Sequence, residues 1–176
     1  QGRYVADILY YYGEDNCITG LFCRHLPEIP AGYSFDYTNA DALLNEISFD
    51  GRNLSSPSGM KYRLLVLDKN ARTMSLPVLR KIASLVKQGA VISGQRPDYE
   101  PTLNGDKEEF KKLVNDIWNA NRKNVLSNNI SESLQSISVR PDFICSDMSN
   151  LRFVHRTTSE GEIYWVNNRI SKSRTI

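Results

Sequence analysis

Tyr62-Arg63-Leu64-Leu65-Val66-Leu67-Asp68, then Ser75-Leu76-Pro77-Val78-Leu79 running on through Ile82, Ala83 and Val86 to Gly89, then Ala90-Val91-Ile92-Ser93-Gly94, is the stretch that decides the fold. Residues 63–67 form a short apolar run that ends in an acid. In the middle block, Leu76, Leu79, Ile82, Ala83 and Val86 recur at three- and four-residue steps, which places them on one face of a helix. Ser75 is the expected N-cap. Pro77 falls in the first turn, where its missing N–H costs nothing, and Gly89 stands where a left-handed residue closes a helix. Ala90 to Ser93 is a second apolar run. Two continuously apolar strands around one amphipathic helix predict a right-handed βαβ crossover in a mostly parallel sheet covered on both faces. The fold class is therefore α/β, a three-layer, flavodoxin-like arrangement.

Working toward the start of the chain, Val5 to Tyr12 is rich in β-formers and reads as the first strand, ending abruptly at Gly13-Glu14-Asp15-Asn16. Leu26 to Gly32, with two prolines and a glycine, is loop. Tyr33 to Tyr37 alternates apolar and polar as a short strand does. Asn39 is the expected N-cap of a short helix through Ile47, with Leu43, Leu44 and Ile47 on one face. Phe49 to Gly59 reads as an irregular or hairpin segment.

Toward the end of the chain, Asp106 to Asn119 is a second amphipathic helix with Phe110, Leu113, Val114, Ile117 and Trp118 on one side. Asn124 to Leu126 suggests a minor strand and Ser131 to Ile137 a short helix, weakened by its serines. The character then changes. Leu151–Arg156 and Glu162–Asn167 flank Thr157 to Gly161 as an antiparallel hairpin. This division sets an α/β unit at 1–148 and a β-hairpin with a tail at 149–176.

The totals exclude several classes. With 176 residues there is room for one domain with a real core, and a net charge of +2 with interspersed signs gives no concentrated basic face for nucleic acid. The cations Arg169, Lys172 and Arg174 read as an exposed tail. No stretch approaches the ~20 apolar residues of a membrane span. Three cysteines, Cys17, Cys23 and Cys145, match neither a disulfide framework nor a zinc pattern and read as packed thiols. The chain opens on Gln1-Gly2 without Met, as a processed product or excised segment would, with any export signal lying outside it.

Familiar catalytic patterns fail one by one. There is no GxGxxG and no P-loop to bring backbone amides to a phosphate. An amidotransferase-type nucleophile needs Cys on a strand-to-helix elbow, and His25 beside Cys23 lies in a pre-proline loop, where a structural role fits better. Asp68 at a strand end, with Glu14 and Asp15 near the first strand, resembles the phosphoacceptor of a receiver domain, yet that domain's late lysine has no counterpart. Glu14 and Asp15 point in opposite directions if the chain is extended, so they cannot flank one glycosidic bond as paired acids. They are open to two readings: a solvated turn whose Asp15 or Asn16 caps a helix, or a ligand contact. Tyr10, Tyr11 and Tyr12 read as core. His155 and Arg156 read as a hairpin face with the arginine paired to a nearby acid.

Five blocks in order, VADILYYYGEDN, FDYTNADALL, SPSGMKYRLLVLD, MSLPVLRKIASLVKQGAVISG and LRFVHRTTSEGEIYWVNNR, resemble a segment of the large bacterial glycoside hydrolases of the α-L-rhamnosidase type, family 106. The resemblance covers nearly the whole chain. It implies an amidotransferase-like α/β domain following a catalytic (β/α)-barrel, with the closing hairpin leading toward β-sandwich modules. The catalytic carboxylates would lie on the barrel, and no catalytic residue transfers to this segment. It further implies a periplasmic or extracellular parent enzyme acting on plant polysaccharide, with calcium belonging to the parent and no cofactor or metal in this segment. The expected partners are the other domains of the same polypeptide and the parent's carbohydrate substrate. Any residues that approach that substrate should come from carboxyl ends of parallel strands, Glu14, Asp15 and Asn16 first, then Asn70 and Arg72. A freestanding flavodoxin-like or receiver-like binding or signalling module is the competing reading.

Overall fold

A computed structural model of the chain describes residues 2–16, 19, 26–103, 105–120 and 123–173. Its centre is a five-stranded, all-parallel sheet with smaller elements between the strands. In chain order these are β1 (Arg3–Tyr4), β2 (Ile8–Tyr11), β3 (Phe35–Thr38), α1 (Ala40–Asn45), β4 (Ser48–Phe49), β5 (Leu54–Ser55), β6 (Lys61–Tyr62), β7 (Leu64–Leu67), α2 (Leu76–Gln88) and β8 (Ile92–Ser93). They continue with α3 (Lys107–Asn115), a π-helical turn at Asp116–Ala120, β9 (Val125–Leu126), α4 (Ile130–Ser136), β10 (Leu151–Thr157) and β11 (Glu162–Asn168).

The sheet runs β3-β2-β7-β8-β9, each pair parallel. Numbered by appearance within this sheet, the order is 2-1-3-4-5, the flavodoxin-like winding. Its direction reverses between β2 and β7, where Tyr11 pairs with Leu67. Both faces are covered, which is why β2 and β7 are continuously apolar. Leu9, Tyr11, Leu65 and Leu67 face α2 and α3, meeting Leu79, Ile82, Val86 and Phe110. Ile8, Tyr10, Leu64 and Val66 face Leu134 of α4 and Val139.

The crossover helix α2 forms as the spacing predicts. Leu76, Val78, Leu79, Ile82, Leu85 and Val86 are buried, and Gly89, at φ 115°, closes the helix by donating its N–H to Leu85 and Val86 carbonyls. Burying side chains of this size contributes about 1.5–3 kcal/mol each, so this face alone outweighs any capping effect. Ser75 occupies the N-cap without a side-chain cap bond. Asn39 does cap α1, its side chain accepting from Ala42 N. The helix predicted from Asp106 to Asn119 is α-helical only to Asn115 and finishes as the π turn. There the Trp118 indole N–H donates to Gly94 O at 3.1 Å. The segment read as irregular or hairpin, Phe49 to Gly59, carries β5 and joins β4 and β6 in a small antiparallel sheet, in which Tyr62, read as leading into the apolar strand, instead pairs with Leu54.

Residues 151–168 form the predicted hairpin, and β10 also pairs antiparallel with β1 through Arg3↔Thr157 and Tyr4↔Arg156. No helix among the described residues is long and apolar enough to cross a membrane. Cys17, Cys23 and His25 lie outside the described residues; Cys145 is a free, partly buried thiol.

Candidate functional site

In a 2-1-3-4-5 sheet a crevice opens at the carboxyl ends of the strands, where the winding reverses. A cavity of about 770 Å³ occupies that place, on the α4 side of the sheet. Its floor is Tyr10, Val66, Asp68 and Ser93, and its walls include Asn70, Gln95, Asn129 and Ser131. Each polar group reaches the crevice for a local reason. Asp68 is the first residue past β7, still tied to β2 by its N–H to Tyr11 O at 2.9 Å. Its carboxylate accepts from the Tyr10 hydroxyl at 2.9 Å and from Asn70 N at 2.6 Å. Ser93, fully buried at the end of β8, donates to Ser127 O at 2.6 Å and accepts from Ser133 Oγ at 3.2 Å.

The electrostatics follow from this packing. Burial, and then the Asp68 charge, push the Tyr10 hydroxyl far above the usual tyrosine range, so it stays a proton donor. At the mouth, Lys69 and Glu28 form an exposed ion pair at 2.9 Å, and Lys69 holds the Glu28 carboxyl below its ordinary value. The crevice thus offers a buried carboxylate, hydroxyls and side-chain amides, a set suited to a neutral polyhydroxylated ligand.

The residues expected at strand ends separate into two groups. Asn70 lines the cavity. Glu14 and Asp15 turn the other way: Glu14 Oε2 accepts from Ser75 N at 2.7 Å at the start of α2, and Asp15 accepts from the Thr73 hydroxyl. Asn16 folds back to donate to Tyr12 O at 2.6 Å. Gly13 makes this possible. At φ 90° it passes so close to Ala71 that an added Cβ would lie 2.8 Å from the Ala71 Cβ. Arg72 grips Asp98 with two nitrogens, at 2.7 and 2.6 Å, and also donates to Gln95. Glu14 and Asp15 are therefore not grouped around Asp68 as receiver chemistry requires. No cluster of three or more His, Cys, Asp or Glu side chains among the described residues is arranged to hold a metal.

A second polar cluster escaped the sequence reading. His155 is 6% exposed, with Nδ1 at 2.9 Å from Asp142 Oδ2 and Nε2 at 2.7 Å from Glu162 Oε2. Tyr164 stacks on its ring at 4.0 Å and donates its hydroxyl to Asp142 Oδ1 at 2.9 Å. Burial and the neighbouring Asp142 push the Tyr164 hydroxyl up to about 12. The acid-paired residue of this strand is thus His155, whereas Arg156 donates to Gly2 O at 2.9 Å. The alternation of β10 places 151, 153, 155 and 157 on one face, but Asp142 comes from a separate loop that no spacing rule connects to it.

Together the winding and the crevice define a flavodoxin-like α/β domain with a polar crevice at its switch point. A family model described as alpha-L-rhamnosidase matches residues 1–176, and the chain belongs to that family of glycoside hydrolases. The rhamnosidase from Novosphingobium sp. PP1Y is similar in structure, with a TM-score of 0.86 and 35% identity over 96% of this chain and 17% of its own. A protein of Formosa agariphila, provisionally named a beta-glucuronidase, is 31% identical over 182 residues, covering 100% of this chain and 15% of its own length. The chain spans about one-sixth of the length of these relatives.

Proposed function

We propose that this chain is a non-catalytic accessory domain of a bacterial glycoside hydrolase, an α-L-rhamnosidase acting on plant polysaccharide. It supports the catalytic part of the polypeptide and lends its switch-point crevice to the substrate cleft. The observation that carries this reading is the cavity of about 770 Å³ floored by Tyr10, Asp68 and Ser93 and walled by Asn70. Its volume is within the few-hundred to ~1,000 Å³ range of small-molecule sites, and its groups hydrogen-bond hydroxyls without supplying a nucleophile–base pair. Of the strand-end residues, Asn70 is the one assigned to substrate. Glu14 and Asp15 hold the start of α2, and Asn16 and Arg72 shape the loops. Calcium, where the parent enzyme uses it, belongs to parts of the polypeptide beyond these residues, and the parent is an exported enzyme.

Two measurements test the reading. The isolated segment should leave an aryl rhamnoside uncleaved while the full polypeptide cleaves it; turnover by the segment alone would overturn the non-catalytic role. In the full polypeptide, Asn70→Ala should raise KM for an oligosaccharide substrate by about three- to tenfold, the loss of one ordinary hydrogen bond. Unchanged kinetics would remove the crevice from the substrate path.

A further inference from the structure

The hairpin carries a feature that the crevice does not explain. Strand β11 is the edge of the β1-β10-β11 sheet, with no strand beyond it among the described residues. The outward face of the hairpin is apolar at its centre. Trp165 is 72% exposed, directly across from Val154 at 41%, and Ile163 is 50% exposed. Large exposed apolar residues gathered in one patch, rather than scattered singly, mark surfaces that something covers. The rim is basic. Arg152 and Arg156 flank Val154 on the same face, Arg169 follows β11, and a shallow groove of about 400 Å³ runs between Arg152, Trp165, Asn167 and Arg169. Paired across this face are Arg152↔Asn167, Val154↔Trp165 and Arg156↔Ile163, with no acid among the six.

We propose that this face docks against another part of the same polypeptide, on a surface apolar at its centre and carboxylate-rich at its rim. Two observations choose that occupant. The relatives are about six times longer than this chain, so polypeptide to cover the patch accompanies the domain in its family. The all-basic rim calls for acidic neighbours, since charge complementarity sets the register of such contacts. Trp165 is the anchor, because a large aromatic in a desolvated centre carries most of an interface's energy while its surroundings exclude water.

The test is hydroxyl-radical footprinting with hydrogen exchange on the full-length polypeptide. Trp165 should be oxidised at least about tenfold more slowly than in the urea-unfolded chain, at any protein concentration and without sugar. Oxidation within about twofold of the unfolded rate would overturn the proposal. So would protection that disappears on dilution, which would assign the patch to a second copy. Protection appearing only with added oligosaccharide would make it a sugar platform and equally overturn it. Arg152→Glu, at an exposed rim position that leaves the core intact, should speed amide exchange in residues 162–168 by about tenfold while residues 64–67 are unaffected. No change in 162–168 would exclude an acidic partner rim.

Discussion

Replacing Asp68 with Asn separates the structural from the substrate-binding work of the crevice. Asp68 is 6% exposed, and its carboxylate accepts two hydrogen bonds, from Tyr10 Oη at 2.9 Å and Asn70 N at 2.6 Å. An amide has the same shape. Its oxygen still accepts from Asn70 N, and its NH₂ donates to the Tyr10 oxygen. Both bonds survive without the charge. Hydrogen bonds to a charged acceptor contribute about 1.5–3 kcal/mol and neutral ones about 0.5–1.5, so Asp68→Asn should destabilise the domain by about 2 kcal/mol. A sugar hydroxyl bonded to the same carboxylate would lose about another 1 kcal/mol, which is about fivefold in affinity. The assay is steady-state kinetics of the full polypeptide on an oligosaccharide and on an aryl rhamnoside, beside thermal unfolding. The expected result is a KM for the oligosaccharide raised about fivefold, with kcat preserved because the group binds ground and transition states alike. The aryl substrate, which lacks the further sugar units that would occupy the crevice, should show no change. A lowered melting temperature with unchanged oligosaccharide KM would refute the substrate role and leave Asp68 as a strut between β2 and β7.

Five further variants have expected outcomes. Glu14→Gln should lower stability by about 0.5–1 kcal/mol in denaturant unfolding, as the charge at the α2 N-terminus is lost, and should leave kcat/KM unchanged. Tyr11→Phe should leave stability unchanged or raise it, because the Tyr11 hydroxyl is buried with no hydrogen-bond partner among the described residues. Tyr10→Phe should instead cost about 1.5–3 kcal/mol, the worth of a bond to a charged acceptor; equal effects from the two variants would contradict the described bonding. His155→Ala removes two hydrogen bonds to carboxylates, at 2.9 and 2.7 Å, and a stacked ring, and should destabilise by about 2–4 kcal/mol, read as faster amide exchange through β10 and β11. Tyr164 titrates near 10.0 when unfolded and at about 12 when folded, so the native state holds the proton longer. Its stabilising contribution is complete below pH 10 and is lost as pH rises from 10 to 12, a dependence that Tyr164→Phe should make shallower in alkaline unfolding curves without removing it, because burial also raises Tyr10 and Tyr62.

The parts of the fold that could be read from sequence were those governed by local periodicity. α2 announced itself through Leu76, Leu79, Ile82 and Val86, and Gly89 stopped it where predicted. β2 and β7 were visible as short apolar runs because both their faces are buried. The strand order itself depends on pairing between distant segments, as in Tyr11 with Leu67, and no spacing encodes that. The same limit governed the crevice. Asn70 and Arg72 were placed correctly at a strand end, yet Arg72 turns to Asp98 and only Asn70 faces the cavity. Tyr10 looked like core and is core, but its hydroxyl is also part of the crevice floor. A side chain that is buried along its ring and polar at its tip belongs to both. His155 was obscured for a related reason: its partners Asp142 and Glu162 sit 13 positions before it and seven after it, across a loop and a strand pair.

The pairing of β1 with β10 has a mechanical consequence. Residue 3 meets Thr157 at one end of the small sheet, whereas Asn168 lies opposite Leu151 at the other. In a longer polypeptide, tension arriving before residue 3 and leaving after residue 168 would pull along the strands. The ladder would be loaded in shear, its hydrogen bonds sharing the force rather than opening one at a time. Val5 N to His155 O, at 3.0 Å, lies in that load path. The parallel sheet and its crevice lie outside it, so strain between neighbouring modules would be absorbed by the hairpin before it could distort the crevice.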